Sequence, residues 1–285
     1  MLYLFLSIIC SVSVGIIFKT ARCNIIRIPQ IIFFNYIVAL LLSYLFFDVQ
    51  LPEDVAPLPW AVYIPLMLLL PSIFIFLAAS IRNVGIVRTD AAQRLSLFIP
   101  ILAAWLIFNE YFNTYKIIGL CLAFPALILI LNKKADKQQG QWFYPVVVLL
   151  GFGIIDILFK QIALSSTAGY TTSLFIIFCG AIVVSFIIGV YEIAFKSKKF
   201  NAMNIAYGAL VGIFNFGNIL FYLMAHKAFS SNPSTVFAGM NLGVIIIGSL
   251  TGVLVFREKL SAVNYAGIFL AIAAIVFITL SQLYN

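Results

Sequence analysis

Charge is the scarcest commodity in this chain: Asp, Glu, Lys and Arg make up 9% of its 285 residues, against roughly a quarter in a soluble domain. That excludes water as the main boundary of the protein. Histidine occurs once. Cysteine occurs four times (Cys10, Cys23, Cys121, Cys179), with no CxxC pair and no His/Cys cluster, so neither a metal site nor a disulfide framework is signalled. No GxxxxGK[ST] phosphate loop and no HExxH pair is present, which removes the usual signatures of ATP hydrolysis and zinc proteolysis. The short segments of alternating polarity that build a membrane β-barrel are missing as well. No cofactor is indicated, and nothing in the residues points to an enzyme.

Hydrophobic residues fill the space left by charge, at 64% of the chain with a mean hydropathy of +1.14. They form unbroken runs of about twenty residues, the length of a bilayer-crossing helix. In lipid every backbone N–H and C=O must be paired inside the protein, which a helix achieves within itself. The expectation is an all-α membrane protein with about ten transmembrane helices. They fall at roughly 2–20, 30–48, 60–81, 89–108, 114–132, 142–163, 171–195, 203–224, 233–256 and 262–281, each near the spanning length. The first run has no basic segment before it, so it reads as a mature helix and not as a secretion signal. Connections are short and leave no room for a soluble domain. Pro29, Pro59 and Pro233 stand near helix starts, where a missing N–H costs nothing, and Ser231-Asn232-Pro233 reads as a cap with a first-turn proline. Pro65, Pro71, Pro100 and Pro125 lie inside apolar runs, where prolines mark kinks.

The chain repeats itself. LIFNEYFNTYKIIGL (106–120) aligns with LVFREKLSAVNYAGI (254–268), matching Leu106 with Leu254, Phe108 with Phe256, Glu110 with Glu258 and Gly119 with Gly267. Gln93 meets Asn241 at the same offset, and GIIFK (15–19) pairs with DILFK (156–160). The implied units are 1–135 and 142–285, five helices each. An odd number forces the second unit to enter the membrane opposite to the first, which is the inverted-repeat plan of secondary transporters. Loop charge agrees: the connection after the second helix holds Asp48, Glu53 and Asp54, its counterpart after the seventh Lys196, Lys198 and Lys199. Connections 1–2, 3–4, 5–6, 7–8 and 9–10 carry nearly all the Lys and Arg, and the other side only Lys116 and Lys227. The positive-inside rule puts the odd connections in the cytoplasm and both termini outside. The net charge of +8 is thereby a topology signal and calls for no nucleic-acid partner.

A Glu just after the fourth helix of each unit and a Gly early in the fifth, in FNEYFNTYKIIG (108–119) and FREKLSAVNYAG (256–267), resemble the drug/metabolite transporter superfamily, specifically its EamA-type ten-helix carriers. The resemblance spans nearly the whole chain. It implies carriers that export or exchange amino acids, nucleobases, sugars or drugs through a cavity lined by helices 1, 3, 4, 6, 8 and 9. On this chain those helices contain Lys19, Gln93, Asp156, Asn215, Asn218 and Asn241. The resemblance also implies cytoplasmic termini, the reverse of the charge count, so the orientation and the direction of transport stay open.

A charge at bilayer depth costs about 2.5–3.5 kcal/mol, so it usually has a partner and a purpose. Asp156 and Lys160 stand at i, i+4 on one helical face, the acid N-terminal. They read either as a substrate or coupling pair, with the carboxylate able to take a proton or an amine, or as a self-neutralising pair whose Lys160 snorkels. Asp90 and Arg94 share that spacing at a helix start and read as an interfacial pair, with Arg94 a further candidate. Lys19 reads as an interface anchor or, as the counterpart of Lys160, as the other wall of a cavity. Asn215 and Asn218 share a face and either glue helices or touch substrate. Glu110 and Glu258 fall at helix ends near water and are assigned, with Gly119 and Gly267, to structure, capping or gating with a nearby basic residue. His226, beside Lys227, reads as interfacial. The function expected is a secondary active transporter, an exporter or exchanger, of a small polar metabolite such as an amino acid. It would work by alternating access at a cavity between the repeats, with protons as a candidate coupling ion. The alternative is a channel-like or scaffold protein without cyclic transport. The partners are the lipid bilayer and a small-molecule substrate, the assembly a monomer or homodimer, and the location the cell (inner or plasma) membrane as a multi-pass protein.

Overall fold

A computed structural model describes the chain except residues 22–26, 48, 50–57, 85, 131–141, 165–168, 197–200, 256, 258–260 and 284–285. All regular structure among the described residues is helical: α1 (Leu2–Ala21), α2 (Ile28–Phe46), α3 (Trp60–Val84), α4 (Ile86–Leu95), α5 (Phe98–Leu106), α6 (Thr114–Ile130), α7 (Phe143–Leu164), α8 (Tyr170–Lys196), α9 (Met203–Ala228), α10 (Pro233–Leu254) and α11 (Ala262–Leu283). Seven helices are long and apolar enough to cross a bilayer, and three shorter apolar stretches, Leu2–Phe18, Ala92–Leu106 and Thr114–Ile130, bring the spans to ten.

The fourth span departs from the expected continuous helix. Pro100 cannot donate to the carbonyl four residues back, and its ring would press on it. That carbonyl belongs to Ser96, which instead accepts from Ile99 N–H at 3.0 Å, while Ser96 Oγ donates to the Gln93 carbonyl at 2.6 Å. The helix therefore breaks at Ser96-Leu97 into α4 and α5. Pro65, Pro71 and Pro125 lie within unbroken helices.

Glycines set the close approaches, as small residues do where lipid gives helices no hydrophobic reason to associate. A Cβ on Gly239 would meet Leu4 and one on Gly243 would meet Ile8, so α10 runs parallel to α1. Gly208 and Gly212 likewise lie against the Ile31 and Asn35 carbonyls of a parallel α2. The mates of the sequence repeat pack antiparallel. Gly119 on α6 faces Ile278 on α11, and Gly267 on α11 faces Ile130 on α6. Phe33 and Tyr36 on α2 meet Phe186 and Phe178 on α8.

The repeat is visible in backbone as well as in residues. Asn109 (φ 49°) and Arg257 (φ 52°) are the non-glycine positions with positive φ among the described residues. They stand 148 positions apart (257 less 109), as do Gly119 and Gly267, and Ile130 and Ile278. Asn113 Oδ1 accepts Lys116 N–H at 2.9 Å and caps α6. Ser261, at the same spacing, caps α11 by accepting Asn264 N–H at 3.2 Å, and Asn264 Oδ1 accepts Ser261 N–H in return at 3.0 Å. Packing is reciprocal too: α1 lies on α9 and α10, α7 on α3, α4 and α5; α2 lies on α9, α8 on α3.

Burial is not reciprocal between the two ends of the bundle. Pro233–Gly239 and Leu242–Ile245 of α10 are buried, whereas none of residues 246–251 is. Four consecutive residues go once round a helix, so α10 is enclosed in its first half and only partly covered from 246 to 251, before Gly252 is buried again. In α1 the buried positions are Leu4, Ser7, Ile8 and Val12, with none from 13 to 18. In α3 the buried run ends at Ile73, with none from 74 to 79. These helices run the same way, so their loose halves gather at one end. The end that carries both termini and the connections after α2, α5, α7 and α9 is the packed one.

Gly119→Ala and Gly267→Ala each drive a Cβ into backbone atoms nearer than 3.2 Å and should each cost about 1–3 kcal/mol. Gly248→Ala, with nothing within 4 Å, should leave stability equal or slightly raised. Thermal unfolding of the purified protein in detergent measures the contrast, and an unchanged midpoint for Gly119→Ala would refute the close α6–α11 approach.

Candidate functional site

The packed end is organised around one turn, residues 229–232 between α9 and α10. Two helix ends meet there, the buried start of α10 and the end of α9, whose His226 is buried while Lys227 and Ala228 are exposed, and each brings backbone groups with no intrahelical partner. Glu110 supplies one set of answers. The left-handed Asn109 ends α5, the Ala104 carbonyl accepts Glu110 N–H at 2.9 Å, and the carboxylate turns inward to 3% exposure. Its Oε2 accepts Ser234 N–H at 2.9 Å and its Oε1 accepts Ser234 Oγ at 2.7 Å. A carboxylate at a helix N-terminus also meets the favourable end of the macrodipole. Lys116, one turn into α6 and fully buried, donates to Glu110 Oε1 at 2.6 Å and to Asn232 Oδ1 at 2.8 Å.

Lys160 supplies the other set. From the end of α7, fully buried, its Nζ donates to the Ser230 carbonyl at 2.7 Å and the His226 carbonyl at 3.4 Å. Cations are favoured at that C-terminal end of α9. The Phe108 ring lies 6.0 Å away. One helix end thus receives an anion and the other a cation.

Several expectations are corrected here. Lys160 neither snorkels nor pairs with Asp156, because the orphan carbonyls of α9 take its ammonium. Glu110 and Lys116 are not near water. Asn232 does not cap its own helix with its side chain; a carboxylate 124 positions away does so. His226 is not interfacial but buried, its ring between Tyr222 and Phe237 at 4.6 and 4.7 Å, with neither nitrogen hydrogen-bonded.

Asp156 sits one turn nearer the open end than Lys160. It is half-buried, and Oδ1 accepts the Tyr222 hydroxyl at 2.9 Å. Among the described residues its Oδ2 has no hydrogen-bond partner, and it is not sealed off. Asn215 donates to Asn35 Oδ1 at 3.1 Å and ties α9 to α2. Asn218 Oδ1 accepts Ser7 Oγ at 2.8 Å and ties α9 to α1. Both asparagines glue helices, through partners that sequence reasoning missed although Asn35 and Ser7 are isolated polar residues in apolar runs. Gln93 and Arg94 are half-buried on α4, and half-buried Asn241 donates to the Phe237 carbonyl of its own helix at 3.1 Å. The side chains of Lys19 and Asp90, and the whole of Glu258, lie outside the described residues.

Residues 1–132 match the model of the EamA-like transporter family. An uncharacterized protein of Haemophilus influenzae is 44% identical over 286 residues, covering 95% of each chain. A protein of known crystal structure superposes with a TM-score of 0.71 over 98% of this chain and 97% of its own. At 12% identity that likeness is one of fold.

Removing one member of a buried ion pair strands the other, at about 3–5 kcal/mol. Lys116→Met is expected to lose stability on that scale. The double variant Glu110→Gln/Lys116→Met should lose less than the two single losses added. Chemical or thermal unfolding of the four proteins tests this, and simple additivity would mean that the pair is not coupled.

Proposed function

Because the chain belongs to the EamA-like transporter family, a family of solute-moving membrane proteins, we propose that it is a secondary carrier, an exporter or exchanger. Its cargo is a small polar metabolite such as an amino acid. The pathway runs between two inverted five-helix units, 1–135 and 142–285. Support for the units comes from the antiparallel mates α2/α8 and α6/α11 and from the shared turn at Asn109 and Arg257. The reading rests most on a single observation: α1, α3 and α10 are densely buried toward one end and only partly covered toward the other, over residues 13–18, 74–79 and 246–251. A bundle open at one end only is one of the two states that alternating access requires.

Asp156 stands where the two regimes meet, with one oxygen held by Tyr222 and the other open. An intramembrane carboxylate in that position serves to bind a proton or the amine of a substrate. The open end carries the connections rich in Lys and Arg, so by the positive-inside rule it faces the cytoplasm. Burial of Lys116 strengthens that assignment, since it leaves Lys227 as the remaining basic side chain of those counted on the opposite face.

The test is counterflow in proteoliposomes preloaded with pooled amino acids, nucleobases and sugars, comparing the natural protein with Asp156→Asn. Exchange of one compound class is expected, reduced at least about tenfold or stripped of its pH dependence in the variant. Undiminished exchange would take Asp156 out of the mechanism. Unitary single-channel currents in place of exchange would replace the carrier with a channel.

A further inference from the structure

We propose, building on the carrier reading, that the Glu110–Lys116 pair and its clasp on Ser234 and Asn232 form the gate that shuts the pathway at the packed end, opposite the opening. The clasp joins the two five-helix units directly. Glu110 and Lys116 come from the α5–α6 connection and the start of α6, Asn232 and Ser234 from the start of α10. On one side it is anchored to a fixed element. α6 is locked to α11 by the Gly119 and Gly267 contacts and by Asn264, which donates to the Leu129 and Ile130 carbonyls at 3.0 and 2.8 Å. On its other side it holds α10, the helix that is buried in its first half and only partly covered from 246 to 251. The clasp therefore fixes the near end of an element that is less tightly enclosed toward its far end.

The chemistry suits a contact that must break and re-form. Glu110 and Lys116 belong to one short stretch of chain, so they leave the interior together and neither charge is stranded. What parts is two bonds from Ser234 to the carboxylate and one from Lys116 to Asn232. Each is a charge-assisted bond to a neutral group, which water can replace on both sides once the end is wetted. Lys160 plays a complementary part. It bonds the last turn of α9 from within the second unit, so the 229–232 turn keeps its shape while the clasp lets go.

The reporter is a cysteine at His226, which is fully buried just behind the clasp and whose ring nitrogens make no hydrogen bond to lose. It is placed in protein whose four native cysteines are replaced by serine. A membrane-impermeant maleimide is applied separately to right-side-out and inside-out vesicles. Glu110→Gln is expected to raise the labelling rate at least about tenfold, and only from the face that carries the N-terminus. Ser234→Ala, which removes one donor and no charge, should raise it less. The exchanged pair Glu110→Lys/Lys116→Glu keeps an ion pair but offers Ser234 N–H no carboxylate, and should label as fast as Glu110→Gln. Unchanged rates in Glu110→Gln and Ser234→Ala, with both proteins monodisperse, would overturn the gate, as would a rate in the exchanged pair equal to that of the natural residues. Should Glu110→Gln not fold, Ser234→Ala decides by the same criterion. Labelling needs no transported solute, so it is separate from the carrier test: faster labelling beside absent counterflow would retain the gate and remove the carrier.

Discussion

The structure depends on one constraint, that no backbone polar group can be left unpaired where water does not reach. Helices meet it along their length but not at their ends, and at the α9–α10 turn the start of α10 is buried beside the His226 end of α9. The chain is short of polar residues, and it places its most costly ones there. A carboxylate accepts the free Ser234 N–H of α10, and an ammonium donates to the His226 carbonyl of α9 and the Ser230 carbonyl of the turn. Lys116 is then required by Glu110, and Asn232 is free to serve Lys116 because the cap it would otherwise provide comes from elsewhere. The packed end follows from this order of needs.

Helix association follows from a second use of small groups. Where α2 meets α9 and α6 meets α11, glycines let backbones approach and single amides close the gap, Asn215 to Asn35 in one case and Asn264 to the end of α6 in the other. Of these, Asn215 was a candidate for substrate contact by residue type alone. Its amide donates to Asn35 and ties two helices, whereas Asp156 is bonded through Oδ1 only among the described residues.

Spans and their limits to within a few residues were legible in the sequence because each rests on a one-dimensional signal: a run length or a cap. The break at Ser96-Leu97 was less so, since Pro100 breaks its helix while Pro65, Pro71 and Pro125 do not. At the break the freed Ser96 carbonyl accepts Ile99 N–H, and the Ser96 hydroxyl donates to the Gln93 carbonyl. Partners were not legible at all. Asp156 and Lys160 have ideal i, i+4 spacing, yet Lys160 turns to carbonyls 66 and 70 positions away. Spacing reports which side chains share a face and says nothing of what stands opposite that face. Glu110 and Lys116 were placed near water because helix ends normally are; burying an end inverts the inference.

The burial asymmetry bears on how an inverted repeat would work. Two units with the same turn, at Asn109 and at Arg257, should pack alike at both ends if both ends could close at once. Here one end is closed and the other is not, so the equivalence belongs to the units and not to their present arrangement. Their divergence is concentrated in one span: α10 is continuous from the clasp onward, whereas its counterpart is cut into α4 and α5. A continuous helix clasped at its first turn transmits a tilt along its whole length. A span cut at Ser96-Leu97 can bend there and leave its second piece in place. In the proposed carrier, motion between the two states would be carried by α10 as a lever and absorbed in the α4–α5 break as a hinge. Rocking of one unit against the other needs such a division of labour, because a packed interior yields only where its helix ladder is already interrupted.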